Sequence, residues 1–182
     1  MKLADLLLCC ITLLASCTSK PEKIYISQME ELTREGFKND KTFVIEEHAG
    51  AIRECAMADM IIKHTTDTEL KALAQMVKDG HQAGIDQLEA IAAELKVTLV
   101  TEPFDVDVNK IELLRSMTSQ ELARYYLIHQ QSMHGWDIAA FTSYANHAQN
   151  ESLKKYVLGT IAPLKEHADQ VVTLGRSKGI IP

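Results

Sequence analysis

Four stretches of the chain repeat apolar residues in alternating steps of three and four, the period of one buried helix face. In residues 40–64, Val44, His48, Ala51, Cys55, Ala58 and Ile62 share that face, and Asp40 is placed to cap the start. Residues 66–96 open with Thr66-Asp67-Thr68-Glu69, the spelling of a capping box. Their stripe runs Leu70, Ala74, Val77, His81, Gly84, Leu88, Ile91 and Leu95 without a break. Residues 118–148 open with a second capping box, Thr118-Ser119-Gln120-Glu121, and carry Leu122, Tyr126, His129, Met133, Trp136 and Ala140 on one side. The last stretch starts near Asn150 and ends at Lys178 and Gly179, a basic last turn followed by a glycine stop. Leu153, Val157, Thr160, Leu164, His167, Val171 and Leu174 form its stripe, and Pro163 inside it predicts a kink.

The connections at Thr65–Thr66 and near Gln149 are tight, so both flanking pairs are predicted to be antiparallel hairpins. Residues 97–117 form a long link with a short helix expected over 108–117; it could turn at one end or cross the whole length. Strand-like alternation is confined to residues 96–100. The expected fold class is all-α, a four-helix bundle over residues 40–182.

The first residues follow a different rule. Lys2 precedes an apolar run of about nine residues, Leu6 to Leu14, which fits a signal peptide and is too short to span a bilayer. It ends in Leu14-Ala15-Ser16-Cys17, which resembles the lipobox of bacterial lipoproteins. That resemblance implies a signal over residues 1–16, lipidation of Cys17, and a tether over residues 17–39. Thr18 in place of Asp resembles outer-membrane sorting, so the expected location is the periplasm, with the lipid anchor in the outer membrane. Of the 4 cysteines only Cys55 then remains in the domain, which rules out an internal disulfide; it reads as a small buried hydrophobe.

Composition narrows the function classes. A formal charge of −6, with basic residues scattered, gives no reason to expect nucleic-acid binding. With 8 Gly, 4 Pro and 5% aromatics, the chain is neither a β-sandwich nor disordered. Gly-x-Ser-x-Gly, phosphate-cradling glycine loops and Cys-x-x-Cys are all missing from the sequence, and no nucleophile–base pair is visible, so an enzyme is the weakest reading.

The histidines are the unusual feature. A single histidine on an apolar stripe is more often a hydrogen-bonded core residue than a ligand, and His64 and His147 sit at helix ends where the dipole favours them. However, His48, His81, His134 and His167 lie about 15 to 18 residues from their own hairpin turns, one per helix. At ~1.5 Å per residue they fall within about 5 Å of one level near mid-bundle. Glu47, Glu54, Asp79, Asp137 and Glu166 are nearby in sequence. Imidazole with carboxylate suits zinc, iron or copper. The paired Glu-x-x-His of di-iron carboxylate proteins is not present, which leaves a His-rich mononuclear site or a metal-free polar network.

Several spaced positions resemble a known family. Phe43 and Glu54, then Met76-Val77-Lys78-Asp79-Gly80-His81, then Tyr126, Gln130 and His134, then Ala162-Pro163 and His167 are similar to the ferritin-like envelope proteins catalogued as domain of unknown function four-one-four-two. The resemblance implies a ferritin-like bundle and an envelope location, with no established activity. Here Gly80 separates the family's usual Asp-His pair, which leaves Asp79 without an assigned role, and His48 has no family counterpart. Two functions are expected in competition: a structural or interaction module with unidentified protein partners, and a metal-storing, buffering or sensing protein using His81, His134, His167, His48 and Glu54.

Overall fold

The computed structural model describes residues 39–103 and 105–182, where five helices and no strand are found. They are α1 (Asp40–His64), α2 (Thr68–Leu95), α3 (Asp105–Arg115), α4 (Ser119–Tyr144) and α5 (Glu151–Ser177). The fold is all-α, as the periodicity predicts. The signal, the tether and Cys17 lie outside the described residues. No described helix is long and apolar enough to cross a membrane.

Local chemistry sets each helix start. Asn39, not Asp40, caps α1, its side chain accepting from Thr42 N at 3.1 Å. Asp67 caps α2 by accepting from the Glu69 and Leu70 amides, so the box expected from Thr66 does not form; the carboxylate one residue later meets the free amides first. On α4 the predicted box is complete, with Thr118 and Glu121 satisfying each other.

The ends also depart from expectation in places. Lys96 closes α2 in the left-handed region at φ 54°. α4 stops at Tyr144, short of the expected residue 148. Beyond α5, Gly179 at φ 64° turns the chain back, and the amides of Ile180 and Ile181 bond the Gly175 carbonyl. α5 is helical throughout with Pro163 inside it.

Two apolar clusters fix the helix directions. One joins Met57 and Ile61 late in α1 with Leu70 early in α2, Leu114 in α3, Leu122 and Leu127 early in α4, and Val171 late in α5. The other joins Phe43 early in α1 with Leu88 late in α2, Phe141 late in α4, and Leu153 early in α5. α1 and α5 therefore run one way, α2 and α4 the other. The α2–α4 link must travel from one cluster to the other, with α3 packed against α1 on the way. The closest helix pairings are α1 with α2 and α4 with α5, followed by α2 with α5; α1 and α4 barely touch along their backbones.

One carboxylate ties the ends of this arrangement. Asp40, 8% exposed, accepts from Tyr144 Oη at 2.6 Å, from the Asn150 amide at 2.6 Å and from the Gln149 amide at 3.1 Å. The start of α1 is thereby held to the turn between α4 and α5, while Phe43 stacks on Tyr144 with ring centres 4.3 Å apart. Hydrogen bonds to a charged group contribute about 1.5–3 kcal/mol each. Asp40→Ala should therefore lower stability by about 2–4 kcal/mol in urea unfolding, against about 1 kcal/mol for loss of the cap in Asn39→Ala.

Candidate functional site

Between the two apolar clusters lies a belt of ionisable side chains. At its centre is Glu54 of α1, 3% exposed. Gln130 Nε2 donates to its Oε2 at 2.7 Å, His129 Nε2 to its Oε1 at 3.1 Å, and the neighbouring Arg53 Nε to Oε1 at 3.3 Å. A carboxylate only accepts, so the His129 nitrogen facing it carries the proton. Burial works to raise the Glu54 pKa, but the hydrogen bond and charge of His129, then Arg53, outweigh it and hold the group well below the ordinary carboxylate range. Glu54 is thus an ionised buried anchor linking α1 to α4.

Beside it stand three histidines from three helices. His134 lies between the other two, its ring centre 6.4 Å from His81 and 5.6 Å from His167. Its Nδ1 bonds the Gln130 carbonyl at 3.0 Å, which places the proton on Nδ1 and leaves Nε2 a buried lone pair with no protein partner. Burial lowers all three imidazole pKa values, His81 to about 4, so the trio is neutral at pH 7. Gly80 makes room for them: a Cβ there would lie 2.5 Å from His167 Cε1.

A cavity of about 720 Å³ opens on this belt. Glu47, Arg53, Glu54, His81, Asp137 and His167 line its polar part, while Ile91, Phe141, Tyr156 and Leu164 give it an apolar wall. Its rim is made of exposed α2 and α5 residues, among them Ala83, Gln87, Ser152 and Gly159. Neither Glu47 nor Asp137 makes a hydrogen bond or ion pair with another described residue. Burial raises both pKa values, Asp137 to about 7 with help from the Glu54 charge, and Glu47 well above the ordinary carboxylate range with help from Asp137, while Arg53 offsets part of each shift.

The predicted site residues therefore divide. His81, His134 and His167 come together, with Glu54 in the same belt. His48 does not join them: it is 2% exposed, its nearest carboxylate is Glu89 of α2 at 3.7 Å, and neither ring nitrogen has a hydrogen-bond partner. One helical position separates it from Glu47, enough to turn it off the cavity. Asp79 is exposed and bonded to Gln75, and Glu166 is exposed. Cys55 is half-buried rather than buried, its thiol on the Lys78 carbonyl at 3.7 Å and pushed up to about 11 by burial.

Three participants escaped the sequence argument. His129 sits five residues before His134, at another height on α4, and meets Glu54 rather than the imidazoles. Arg53 was hidden by lying off the apolar stripe. Gly80 gave a signal in its mid-helix position, where glycine costs about 1 kcal/mol unless something needs the space.

Two outcomes test this geometry. Gly135→Ala on α4, where an added Cβ meets nothing within 4 Å, should stabilise by up to about 1 kcal/mol. Gly80→Ala should show no such gain and should shift the His167 ring resonances in NMR, because His167 must move. The second concerns pH. In the unfolded chain Asp137 ionises near its ordinary 3.8, whereas in the native protein it holds its proton to about 7. Its contribution is intact below about pH 4 and is lost as pH rises toward 7. Asp137→Asn should therefore raise the melting temperature more at pH 8 than at pH 5.

No curated protein and no solved structure matches the chain. A family match does, over residues 27–174, and it takes in α1 to α4, most of α5 and every residue of the polar belt. The chain belongs to the family described as Domain of unknown function (DUF4142).

Proposed function

We propose that this protein is a ligand-binding module of the bacterial envelope, held at the outer membrane by lipid on Cys17, with its central cavity as the binding site. The four long helices are then a ferritin-like four-helix bundle, α1 and α5 opposed to α2 and α4, with α3 in the crossover. What carries the reading is the belt itself. Ionisable groups at the middle of a core cost stability, since each must be desolvated and few can be fully paired. A domain that needed only to hold its shape, or to offer an outer surface to protein partners, would keep one continuous apolar core. This one divides its core in two and places a cavity of about 720 Å³ at the division.

A second reading, with zinc, iron or copper as the ligand, is favoured by one observation. The buried Nε2 lone pair of His134 is fixed by the Nδ1 bond behind it, the arrangement common among metal-bound histidines. Two imidazoles on one ion at ~2.0–2.1 Å place their ring centres about 5–6 Å apart, close to the spacing here. Yet no three His, Cys, Asp or Glu groups among the described residues converge to hold a metal. The rings would have to rotate to do so.

One preparation tests both parts. Cys17→Ser should move the protein from the membrane to the soluble fraction. That protein, purified without chelator and then denatured, should release a small organic molecule detectable by mass spectrometry. Stoichiometric metal by elemental analysis, with a melting temperature raised by the same metal, would favour the imidazole reading instead. Retention of the Cys17→Ser protein in the membrane would overturn the lipid anchor.

A further inference from the structure

The cavity says more about its ligand than that one exists. Its ionisable lining is predominantly acidic: Glu47, Glu54, Glu94 and Asp137 stand against Arg53 and Lys155, and the imidazoles there add no charge at pH 7. Glu54 is already satisfied by three donors. Glu47 of α1 and Asp137 of α4 are not: they face the same space from opposite helices with no hydrogen bond or ion pair to another described residue. Burial favours the protonated form of both; a cation between them would favour their ionised forms, which an anion would oppose and an uncharged molecule would not promote.

The rest of the lining is apolar. Ile91, Phe141, Tyr156 and Leu164 offer an aliphatic and aromatic wall, and Gly80, Gly84 and Gly159 keep side chains out of the space. Backbone adds one more acceptor. Pro163 has no amide hydrogen, so the Gly159 carbonyl lacks its i+4 donor, and both residues line the cavity. The combination of carboxylates, a free carbonyl and an aromatic wall is the chemistry that recognises an ammonium group on an apolar body.

We propose that the cavity binds an organic cation, an alkyl- or arylamine whose ammonium lies between Glu47 and Asp137 and whose body packs on Phe141 and Tyr156. The inference rests on the reading of the cavity as a binding site, and the test separates the two. A bare divalent ion is a poorer occupant of this part of the cavity, because it would leave the apolar wall and most of the volume unfilled.

Isothermal titration calorimetry on the full-length protein would compare phenethylamine, phenethyl alcohol and phenylacetate, which share a body and differ in charge. The amine should bind at least 10-fold more tightly than the alcohol, and phenylacetate should not bind. Glu47→Gln and Asp137→Asn should each weaken the amine at least 10-fold while melting no lower than the unsubstituted protein at pH 8. If the alcohol or the acid binds as well as the amine, the binding site stands and the cationic ligand class is wrong. Amine affinity unchanged in both variants would place it outside the cavity and overturn the proposal. If none of the three binds, the cavity is not a small-molecule site and the broader reading falls with it.

Discussion

The buried carboxylate of Glu54 is the constraint around which the middle of this domain is organised. Taking an ionised group out of water costs several kcal/mol even after relaxation, so its partners must be in place whenever the chain is folded. They come from two helices: Arg53 from its own, and His129 and Gln130 from α4. This matters because α1 and α4 make little backbone contact. Here a charged hydrogen-bond network, more than backbone packing, joins the two helices. The cavity opens beside that network, with Arg53 and Glu54 in its lining.

The neighbouring residues keep that space open rather than closing it. Gly80 gives way to His167, and Gly84 lies under Tyr156, whose hydroxyl would be 3.2 Å from an added Cβ. A helix that tolerates glycine at two positions four residues apart gives up about 1 kcal/mol at each relative to alanine. Pro163 removes a hydrogen bond from the facing helix at the same level. The apolar clusters at either end must offset these losses, and they hold the large buried side chains: Met57, Ile61, Leu70 and Leu122 at one end, Phe43, Leu88 and Leu153 at the other. Stability sits at the ends of the domain and chemistry in its middle.

Much of this was legible in the sequence because helices announce themselves through short-range patterns. The end of the first helix at His64 and the box at Thr118 follow from spacing and capping chemistry alone. Asp40 shows where such reasoning stops. It has the right residue type for a cap, but its carboxylate serves the α4–α5 turn more than a hundred residues away, and a local rule cannot see that partner. A count of residues from the turns measures height along a helix and not direction around it. His81, His134 and His167 share both, whereas His48 shares only the height. The crossing link was undetermined for a similar reason: residues 97–117 are long enough to turn or to cross, and only the partners of Leu114 and Leu122 decide.

Preorganisation separates the two kinds of ligand the belt could hold. Affinity depends on how little must be rearranged on binding, because ordering and reorienting side chains consumes part of the interaction energy. For the imidazoles, tautomer and position are set at His134, but the ring nitrogens do not converge, and turning His167 is limited by Gly80 and the helix behind it. Each ring that rotates also gives up its present packing. Glu47 and Asp137 stand differently. They already face one space, no internal hydrogen bond has to break to free them, and the apolar wall beside them is built. A cation between them would draw both out of the protonated forms that burial favours and would then be attracted at two sites at once, in a part of the protein where low polarity strengthens both terms. The carboxylate pair therefore gives up only protons to a cation, with no internal hydrogen bond or packing lost, and in a core that has already given up packing to hold these groups, that difference decides which end of the belt is the binding end.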